Sequence, residues 1–219
     1  MIRNLIFDFD GTLADTAQGI LATEREMLRR LGLPETSEAQ MCSAIGLPLG
    51  ESLRIGCNLP ESIVPEAVIL YRALFFDYAP QHIVIFDGVK ETLTALKDRG
   101  IRMAIATSRG RDSLEKILEV HGMDGWFETC LTADDGIRPK PLPDMVLHLL
   151  DRMGIKAEET LVVGDTTFDL EMGKAALCRT VGVTYGNHSR EKLQTVSPDW
   201  IIDRFPELAA IVDGFSLMN

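Results

Sequence analysis

The segment Leu5-Ile6-Phe7-Asp8-Phe9-Asp10-Gly11-Thr12 joins a short apolar run to two aspartates and a glycine-containing turn. The apolar run predicts a buried strand, and the alternation of side chains along a strand puts Asp8 and Asp10 on the same side. Ligands bind at the carboxyl ends of strands in an open α/β sheet, although aspartates are also common as turn caps. The segment therefore predicts one strand of a parallel sheet with a candidate site at its end.

Further apolar runs alternate with helical stretches along the chain, which is the pattern of a parallel sheet built from βαβ units. The predicted strands are Leu5 to Phe7, Met103 to Ala106, Cys130 to Thr132, Leu161 to Val163 and Thr180 to Val183. A helix is predicted around Met145 to Met153, where apolar residues have helical spacing. The pattern predicts a doubly wound α/β core.

Residues 16 to 82 interrupt this alternation with helix after helix and no convincing strand. One predicted helix keeps an apolar face from Ala17 to Leu31 and ends at Gly32. In another, apolar residues fall at offsets 0, 3, 4, 7, 10, 11 and 14 between Val64 and Tyr78, so one face must pack against a neighbour. We therefore expect a core formed by residues 1–15 and 83–219, and a helical insert formed by residues 16–82.

The composition restricts the partners. The chain has 22 basic and 33 acidic residues and a formal net charge of -11, which argues against binding to nucleic acid or to an anionic membrane surface. It has neither an apolar run of the ~20 residues that a spanning helix needs nor the features of a signal peptide at its amino terminus. We expect a cytoplasmic monomer or homodimer that acts on a small molecule, with reduced structural cysteines at positions 42, 57, 130 and 178.

Two segments carry groups that can hold a phosphoryl group. Thr107-Ser108-Arg109-Gly110 follows a predicted strand, and hydroxyls together with the amides of a following helix can hold phosphoryl oxygens. The alternative is an ordinary helix N-cap. Lys140 lies among three prolines in Arg138-Pro139-Lys140-Pro141-Leu142-Pro143, which stiffen the chain around this one cation. A lysine held in this way can neutralise a phosphoryl group, although an isolated lysine is usually solvated.

The segment Gly164-Asp165-Thr166-Thr167-Phe168-Asp169 follows the strand ending at Val163. Its two carboxylates are four residues apart at a strand-to-helix turn, which places them on one helical face. Clustered carboxylate oxygens suit Mg²⁺, whereas helix capping is the alternative explanation for Asp169. Because all four segments lie at the carboxyl ends of predicted strands, the sequence predicts that they form one site.

In order and in composition, these segments resemble the four motifs of the haloacid dehalogenase (HAD) superfamily, most closely its phosphoglycolate-phosphatase-like branch. The DxDGT motif corresponds to Asp8 to Thr12, the hydroxyl motif to Thr107, the lysine motif to Lys140 in KPxPD, and the acidic motif to Gly164 to Asp169. The resemblance spans essentially the whole chain. It implies a Rossmann-like parallel-sheet core with an inserted all-helical cap at residues 16–82.

The resemblance also implies roles for individual residues. Asp8 would attack phosphorus and form an aspartyl-phosphate, while Asp10 would protonate the leaving oxygen and then activate water. Asp10 would need surroundings that favour its neutral form, such as burial or a nearby carboxylate. The implied Mg²⁺ ligands are Asp8, the Asp10 backbone carbonyl, Asp165 and Asp169. The implied substrate-binding residues are Thr107, Ser108, Arg109 and Lys140, of which Thr107 and Lys140 are also expected to be catalytic.

Features outside the motifs bear on the substrate. The segment Gly46 to Gly50 resembles the family's cap loop that faces the core. Arg54 and Arg109 are candidates for binding a second anionic group, although solvent exposure is the commoner state of such side chains. Ser108 stands where many relatives carry Asn, and Leu142 stands where close relatives often carry His. The resemblance therefore identifies the substrate less closely. The four histidines lack the spacing of a triad or a zinc site and are assigned no role.

The expected activity is hydrolysis of a small phosphate monoester such as phosphoglycolate. A sugar-phosphate mutase or a pyrophosphatase on the same scaffold is the main alternative. Sugar-phosphomutase relatives carry a histidine soon after the first motif, and residues 15–20 contain none. Dehalogenation would not need Asp10 or the acidic motif. A non-catalytic phosphate-binding module would lack a catalytic group, whereas each matched position here has a competent residue.

Overall fold

The computed structural model describes residues 1–79 and 82–217. In the described chain, six strands form a parallel sheet, and two shorter strands, β2 and β3, form an antiparallel pair. The strands are β1 (Asn4–Phe7), β2 (Ala14–Asp15), β3 (Val84–Ile85), β4 (Arg102–Ala106), β5 (Thr129–Leu131), β6 (Thr160–Gly164), β7 (Arg179–Val183) and β8 (Trp200–Ile202). The order in the parallel sheet is β5-β4-β1-β6-β7-β8.

The helices fall into two groups along the chain. Between β2 and β3 lie α1 (Ala17–Leu31), α2 (Glu38–Ser43), α3 (Leu49–Gly56) and α4 (Val64–Tyr78). After β3 come α5 (Val89–Asp98), α6 (Arg111–Val120), α7 (Asp144–Met153), α8 (Thr167–Ala175), α9 (Arg190–Gln194) and α10 (Glu207–Leu217). No helix in the described ranges is long and apolar enough to cross a bilayer.

The predicted α/β fold with a Rossmann-like parallel sheet is confirmed, and all five predicted strands are present. Strand β5 ends at Leu131, one residue earlier than predicted, because the Thr132 side chain accepts a hydrogen bond from the Asp134 backbone and caps a 3₁₀ turn over Ala133–Asp135. The edge strand β8 was not predicted. The pair β2 and β3 was also missed, and each of its strands has only two residues.

Strand β1 lies inside the sheet and is buried along its whole length. Phe7 packs against the rings of Phe127 and Phe205 at centroid distances of 6.3 and 5.9 Å. Ile6 belongs to a second apolar cluster that includes Val146 and Leu149. Burial on both faces explains why this strand is a continuous apolar run, and it fixes the position of the residues that follow it.

The chain leaves the core at β2, forms the four helices, and returns to the core at β3, next to the point where it left. Strands β2 and β3 pair at Ala14 with Ile85 and at Asp15 with Val84. Helix α1 packs on α4, and a side chain at Gly19 would approach the Ala79 carbonyl oxygen to 3.0 Å. The short β2–β3 pair therefore attaches the helical segment to the core next to the carboxyl end of β1.

Candidate active site

Three adjacent strands, β4, β1 and β6, end at the same edge of the parallel sheet. The residues that follow them are Thr107, Asp8 and Asp165, respectively. Each is buried, with a relative exposure of 3% or less. The sheet register therefore brings together three segments that are about 60 to 160 residues apart in the sequence.

The buried carboxylates form one cluster at this edge. Asp8, Asp165 and Asp169 each place an oxygen within 4.8 Å of the others. Burial, reinforced by the neighbouring carboxylates, raises the pKa of Asp8 well above its usual range, although Lys140 acts in the opposite direction. Burial and Asp169 also raise the pKa of Asp165 to about 7. The three carboxylates therefore carry more negative charge than the nearby groups of the protein neutralise.

A divalent cation fits these residues. Asp8 Oδ2 is buried and has no hydrogen-bond partner among residues 1–79 and 82–217. Carboxylate oxygens are the ligands preferred by hard cations such as Mg²⁺, and a bound cation would give this atom the partner it lacks. Asp8, Asp165 and Asp169 could therefore hold a metal ion.

Lys140 is the buried cation that faces the cluster. Its Nζ lies 2.5 Å from Asp8 Oδ1 and 2.6 Å from Asp169 Oδ1, and the residue is 3% exposed. Burial alone would lower the pKa of Lys140, but the Asp169 and Asp8 carboxylates raise it above its ordinary value. The ammonium therefore stays charged beside Asp8.

The acidic turn after β6 is held by hydrogen bonds to both of its carboxylates. Asp165 Oδ2 accepts from the backbone N–H and the side-chain amide of Asn187 at 2.7 and 2.8 Å, and Oδ1 accepts from Thr12 Oγ1 at 3.1 Å. Asp169 Oδ2 accepts from the backbone and hydroxyl of Thr166 at 3.0 and 2.7 Å. Asp169 thus caps α8 and binds Lys140 at the same time, so its capping role does not exclude a role at the site.

Gly11 shows how tightly this turn is packed. The residue has a φ of +83°, and a Cβ there would lie 2.2 Å from Asp165 Oδ2. A side chain is excluded both by the backbone conformation and by the space. The glycine in the first segment therefore lets the chain pass directly beside the acidic turn.

The Asp10 carboxylate pairs with the Arg109 guanidinium. The Arg109 Nε lies 3.0 and 3.1 Å from the two Asp10 oxygens, and Nη2 also donates to Oδ1. Thr16 Oγ1 donates to the same carboxylate at 2.6 Å. Of the two features expected around Asp10, burial is present, but its nearest partner is a guanidinium rather than a carboxylate.

The two candidate arginines lie in different environments. The Arg109 side chain is only 6% exposed and lies over the Phe75 ring at 4.8 Å, so the expectation of a solvated side chain was wrong for this residue. Arg54 is 44% exposed and faces Glu51 and Glu61 at 4.0 and 3.8 Å. Of the two, only Arg109 is buried at the site.

A cavity of about 360 Å³ lies between the strand ends and helices of the inserted segment. It is lined by Asp8, Asp10 and Thr107 from the core and by Glu24, Ser52 and Tyr71 from the helices, among others. Residues 46–50 also line it, and Ser108 Oγ donates to the Gly46 carbonyl at 2.8 Å. The cavity therefore connects the catalytic candidates with the helical segment.

Two residues at the site, Asn187 and His188, were not found from the sequence. Asn187 holds Asp165 together with Thr12 of the first motif, and His188 Nδ1 accepts from the Thr167 backbone at 3.0 Å. Burial and Lys192 lower the pKa of His188 to about 4, which keeps the ring neutral. A lone histidine or asparagine carries no spacing signal, so only the fold reveals these contacts.

Comparison with known proteins agrees with this geometry. The family model described as haloacid dehalogenase-like hydrolase matches residues 5–183. The chain is 39% identical over 208 residues to "Probable phosphatase IndB" of Dickeya dadantii, covering 93% of this chain and 90% of that protein. It is 31% identical to a phosphoglycolate phosphatase of Pectobacterium atrosepticum, covering 100% and 95%, and 31% identical to the pyrophosphatase PpaX of Bacillus velezensis, covering 96% of each.

A solved structure supports the same relationship. The crystal structure of a protein from Bacteroides fragilis, described as a haloacid dehalogenase-like hydrolase, superimposes with a TM-score of 0.90 at 30% sequence identity. The superposition covers 95% of this chain and 100% of that chain. The likeness therefore includes the helical segment as well as the sheet.

Proposed function

Since this chain belongs to the haloacid dehalogenase-like hydrolases and is a phosphoric monoester hydrolase, we propose that it uses Mg²⁺ and passes through an aspartyl-phosphate on Asp8. The observation that carries this proposal is the state of the Asp8 carboxylate. Oδ1 is held by Lys140 at 2.5 Å, whereas Oδ2 has no partner in the described chain, and the residue lines the cavity. Asp8 is thus oriented, with one oxygen left for another contact.

The attack of Asp8 brings one anion toward another, so positive charge is needed at the point of reaction. Lys140 would supply part of it, because its ammonium can contact a phosphoryl oxygen while it orients Asp8. Asp8, Asp165 and Asp169 would hold Mg²⁺, with the Asp10 carbonyl as a further ligand, and the ion would supply further positive charge to the phosphoryl group. Thr107 Oγ1 accepts from the Arg109 backbone at 3.1 Å, and its hydrogen can be donated to a phosphoryl oxygen.

Asp10 would act as the acid and base. It would protonate the leaving oxygen as the phosphorus bond to that oxygen breaks, and then accept a proton from the water that hydrolyses the aspartyl-phosphate. In the conformation described here Asp10 is paired with Arg109. The cycle therefore requires Asp10 to exchange at least part of this pairing for a contact with the substrate. Arg109 would then be available to an anionic group of the substrate.

We assign residues 16–82 as a cap on a core of residues 1–15 and 83–219. Helices α1 to α4 lie between the paired strands β2 and β3. The contact of Ser108 with Gly46 and the shared cavity support a role for the helices in covering the strand ends. Such a cap would exclude bulk water and position the leaving group.

The substrate is proposed as a small phosphorylated metabolite. Phosphoglycolate is the first candidate, because a relative that covers the whole chain is named for that activity. Pyrophosphate is the second, since a relative of the same sequence identity is named as a pyrophosphatase. Both belong in the first assay.

The test is steady-state hydrolysis of a panel of phosphate monoesters and pyrophosphate, with Mg²⁺ and with EDTA, for the wild type and Asp8→Asn. Asp151→Asn is the matched control, because Asp151 is exposed on α7. We expect Mg²⁺-dependent turnover that Asp8→Asn abolishes and Asp151→Asn preserves. Turnover in EDTA, or in Asp8→Asn, would overturn the proposal.

A further inference from the structure

Glu24 is a buried acid that the proposed chemistry does not use. It lies on α1, is 1% exposed, and neither carboxylate oxygen has a hydrogen-bond partner within residues 1–79 and 82–217. Its sequence neighbour Arg25 turns to Glu38 at 2.7 Å. Buried polar groups in native proteins nearly always have partners, so a carboxyl group with two unpaired oxygens needs an explanation.

The position of Glu24 explains why its carboxyl group has no partner in the protein. Glu24 lines the cavity that also contains Asp8 and Thr107. It interrupts the apolar face of α1 between Leu21 and Met27. Burial raises its pKa to about 8, so that at neutral pH the folded protein holds it mostly as a neutral carboxyl group. A neutral carboxyl group can still accept a hydrogen bond through its carbonyl oxygen.

Three other charged side chains that line the cavity already have partners. Arg109 is paired with Asp10, and Arg72 donates to Asp134 at 2.9 Å. Asp8 is held by Lys140. Among the buried carboxyl groups that line this cavity, Glu24 is therefore the one left with both oxygens unpartnered in the described chain.

We propose that Glu24 determines specificity by accepting a hydrogen bond from a hydroxyl or ammonium group on the leaving group of the phosphate monoester. This inference rests on the proposed function, in which the phosphoryl group lies at Asp8. A leaving group without a donor would leave the buried acceptor unpaired, and a site built in this way discriminates against such an analogue. The inference adds phosphorylated polyols and amino alcohols to the candidate substrates.

The test compares n-alkyl phosphates with hydroxyalkyl and aminoalkyl phosphates of the same chain length, from two to five carbons, in the presence of Mg²⁺. The variants are Glu24→Leu, which removes both oxygens, and Glu24→Gln, which keeps an acceptor but cannot ionise. The control is Glu26→Gln on the same helix, because Glu26 pairs with Arg29 and Arg30 at 2.7 Å. The readout is the ratio of kcat/KM for each donor-bearing substrate to that for its alkyl counterpart.

For the wild type we expect a donor-bearing substrate to exceed its alkyl counterpart by about tenfold or more at the best chain length. Glu24→Leu should abolish this preference while keeping the turnover of alkyl phosphates, and Glu26→Gln should leave it unchanged. If the donor is a hydroxyl group, Glu24→Gln keeps the preference; if it is an ammonium group, Glu24→Gln loses it. Thermal denaturation establishes that each variant is folded, and should Glu24→Leu not fold, Glu24→Ala, which also removes both oxygens, takes its place with the same expected loss of the preference.

The two proposals fail in different ways. No wild-type preference for any donor-bearing substrate, or the same preference in Glu24→Leu, overturns the role of Glu24 while Mg²⁺-dependent turnover by Asp8 stands. No hydrolysis of any monoester or of pyrophosphate by the wild type overturns both.

Discussion

Lys140 Nζ lies within 2.6 Å of both Asp8 and Asp169, which are 132 and 29 residues away from it in the sequence. This one ammonium contacts two of the three buried carboxylates that form the cluster, of which Asp165 is the third. Two of the three have raised pKa values despite its presence. Lys140 therefore orients Asp8, and the negative charge that it does not neutralise can attract a divalent cation.

Replacing Lys140 by Met should destabilise the protein as well as inactivate it. The change leaves Asp8 and Asp169 without their buried cation, and breaking a buried ion pair typically costs about 3–5 kcal/mol. Urea denaturation at neutral pH in EDTA measures the loss. Lys156→Met is the control, because Lys156 is exposed and should change the free energy of unfolding by less than about 0.5 kcal/mol. Equal stability of the two variants would contradict the proposed arrangement.

Replacing Arg109 by Gln should lower stability far more than the same change at Arg72. Arg109 is a buried partner of Asp10, so its loss leaves the Asp10 carboxylate without a cation. The free energy of unfolding should fall by about 3 kcal/mol. Arg72 forms an exposed pair with Asp134, for which about 1 kcal/mol or less is expected. Guanidinium denaturation of the two variants measures both values. A loss below about 1 kcal/mol for Arg109→Gln would show that Asp10 has another partner in solution.

Mg²⁺ should bind more weakly as the pH falls. A carboxyl group must lose its proton to bind the ion, and Asp165 has its pKa raised to about 7 in the metal-free protein. It is mostly ionised at pH 8 and mostly protonated at pH 6, so the affinity should drop about tenfold between them. Calorimetric titration at the two pH values, with proton release at the lower one, measures this. An affinity independent of pH would exclude Asp165 as a titrating ligand.

Glu24 should make folding less favourable as the pH rises. Its pKa is about 8 in the folded protein against an ordinary value of 4.5. Between these values the unfolded chain has released the proton and the folded protein retains it, so stability falls by up to about 1.4 kcal/mol per pH unit. Because other groups titrate in the same range, the quantity to measure is the difference in unfolding free energy between Glu24→Gln and the wild type. That difference should increase from pH 5 to pH 8 and level off above it; a constant difference would mean that the carboxyl group has a partner in solution.

The sequence predicted the sheet well because its strands are buried on both faces. A strand such as β1 must then be a continuous apolar run, which is visible without a structure. Strand β8 was missed because it is a three-residue edge strand, and only two of its residues, Ile201 and Ile202, are aliphatic. The pair β2 and β3 is defined by contacts across some 70 residues of chain, which no local pattern records.

Asp8, Thr107 and Asp165 could be singled out because each directly follows a strand, whereas the partners of the site residues could not. Arg109 lies 99 residues from Asp10, and Asn187 lies 22 residues from Asp165 in a segment without a motif. Glu24 did leave a signal. It occupies a position on the apolar face of α1, where a charged residue is out of place, and attention to that exception would have identified it.

The central claim is that Asp8 becomes phosphorylated. The direct measurement is acid quenching of a single turnover with a monoester carrying a radioactive phosphoryl group, followed by mapping of the labelled peptide. The account predicts label on the peptide that contains Asp8, none in Asp8→Asn, and unchanged labelling in Asp151→Asn. Turnover by Asp8→Asn, or label on a peptide that does not contain Asp8, would contradict it.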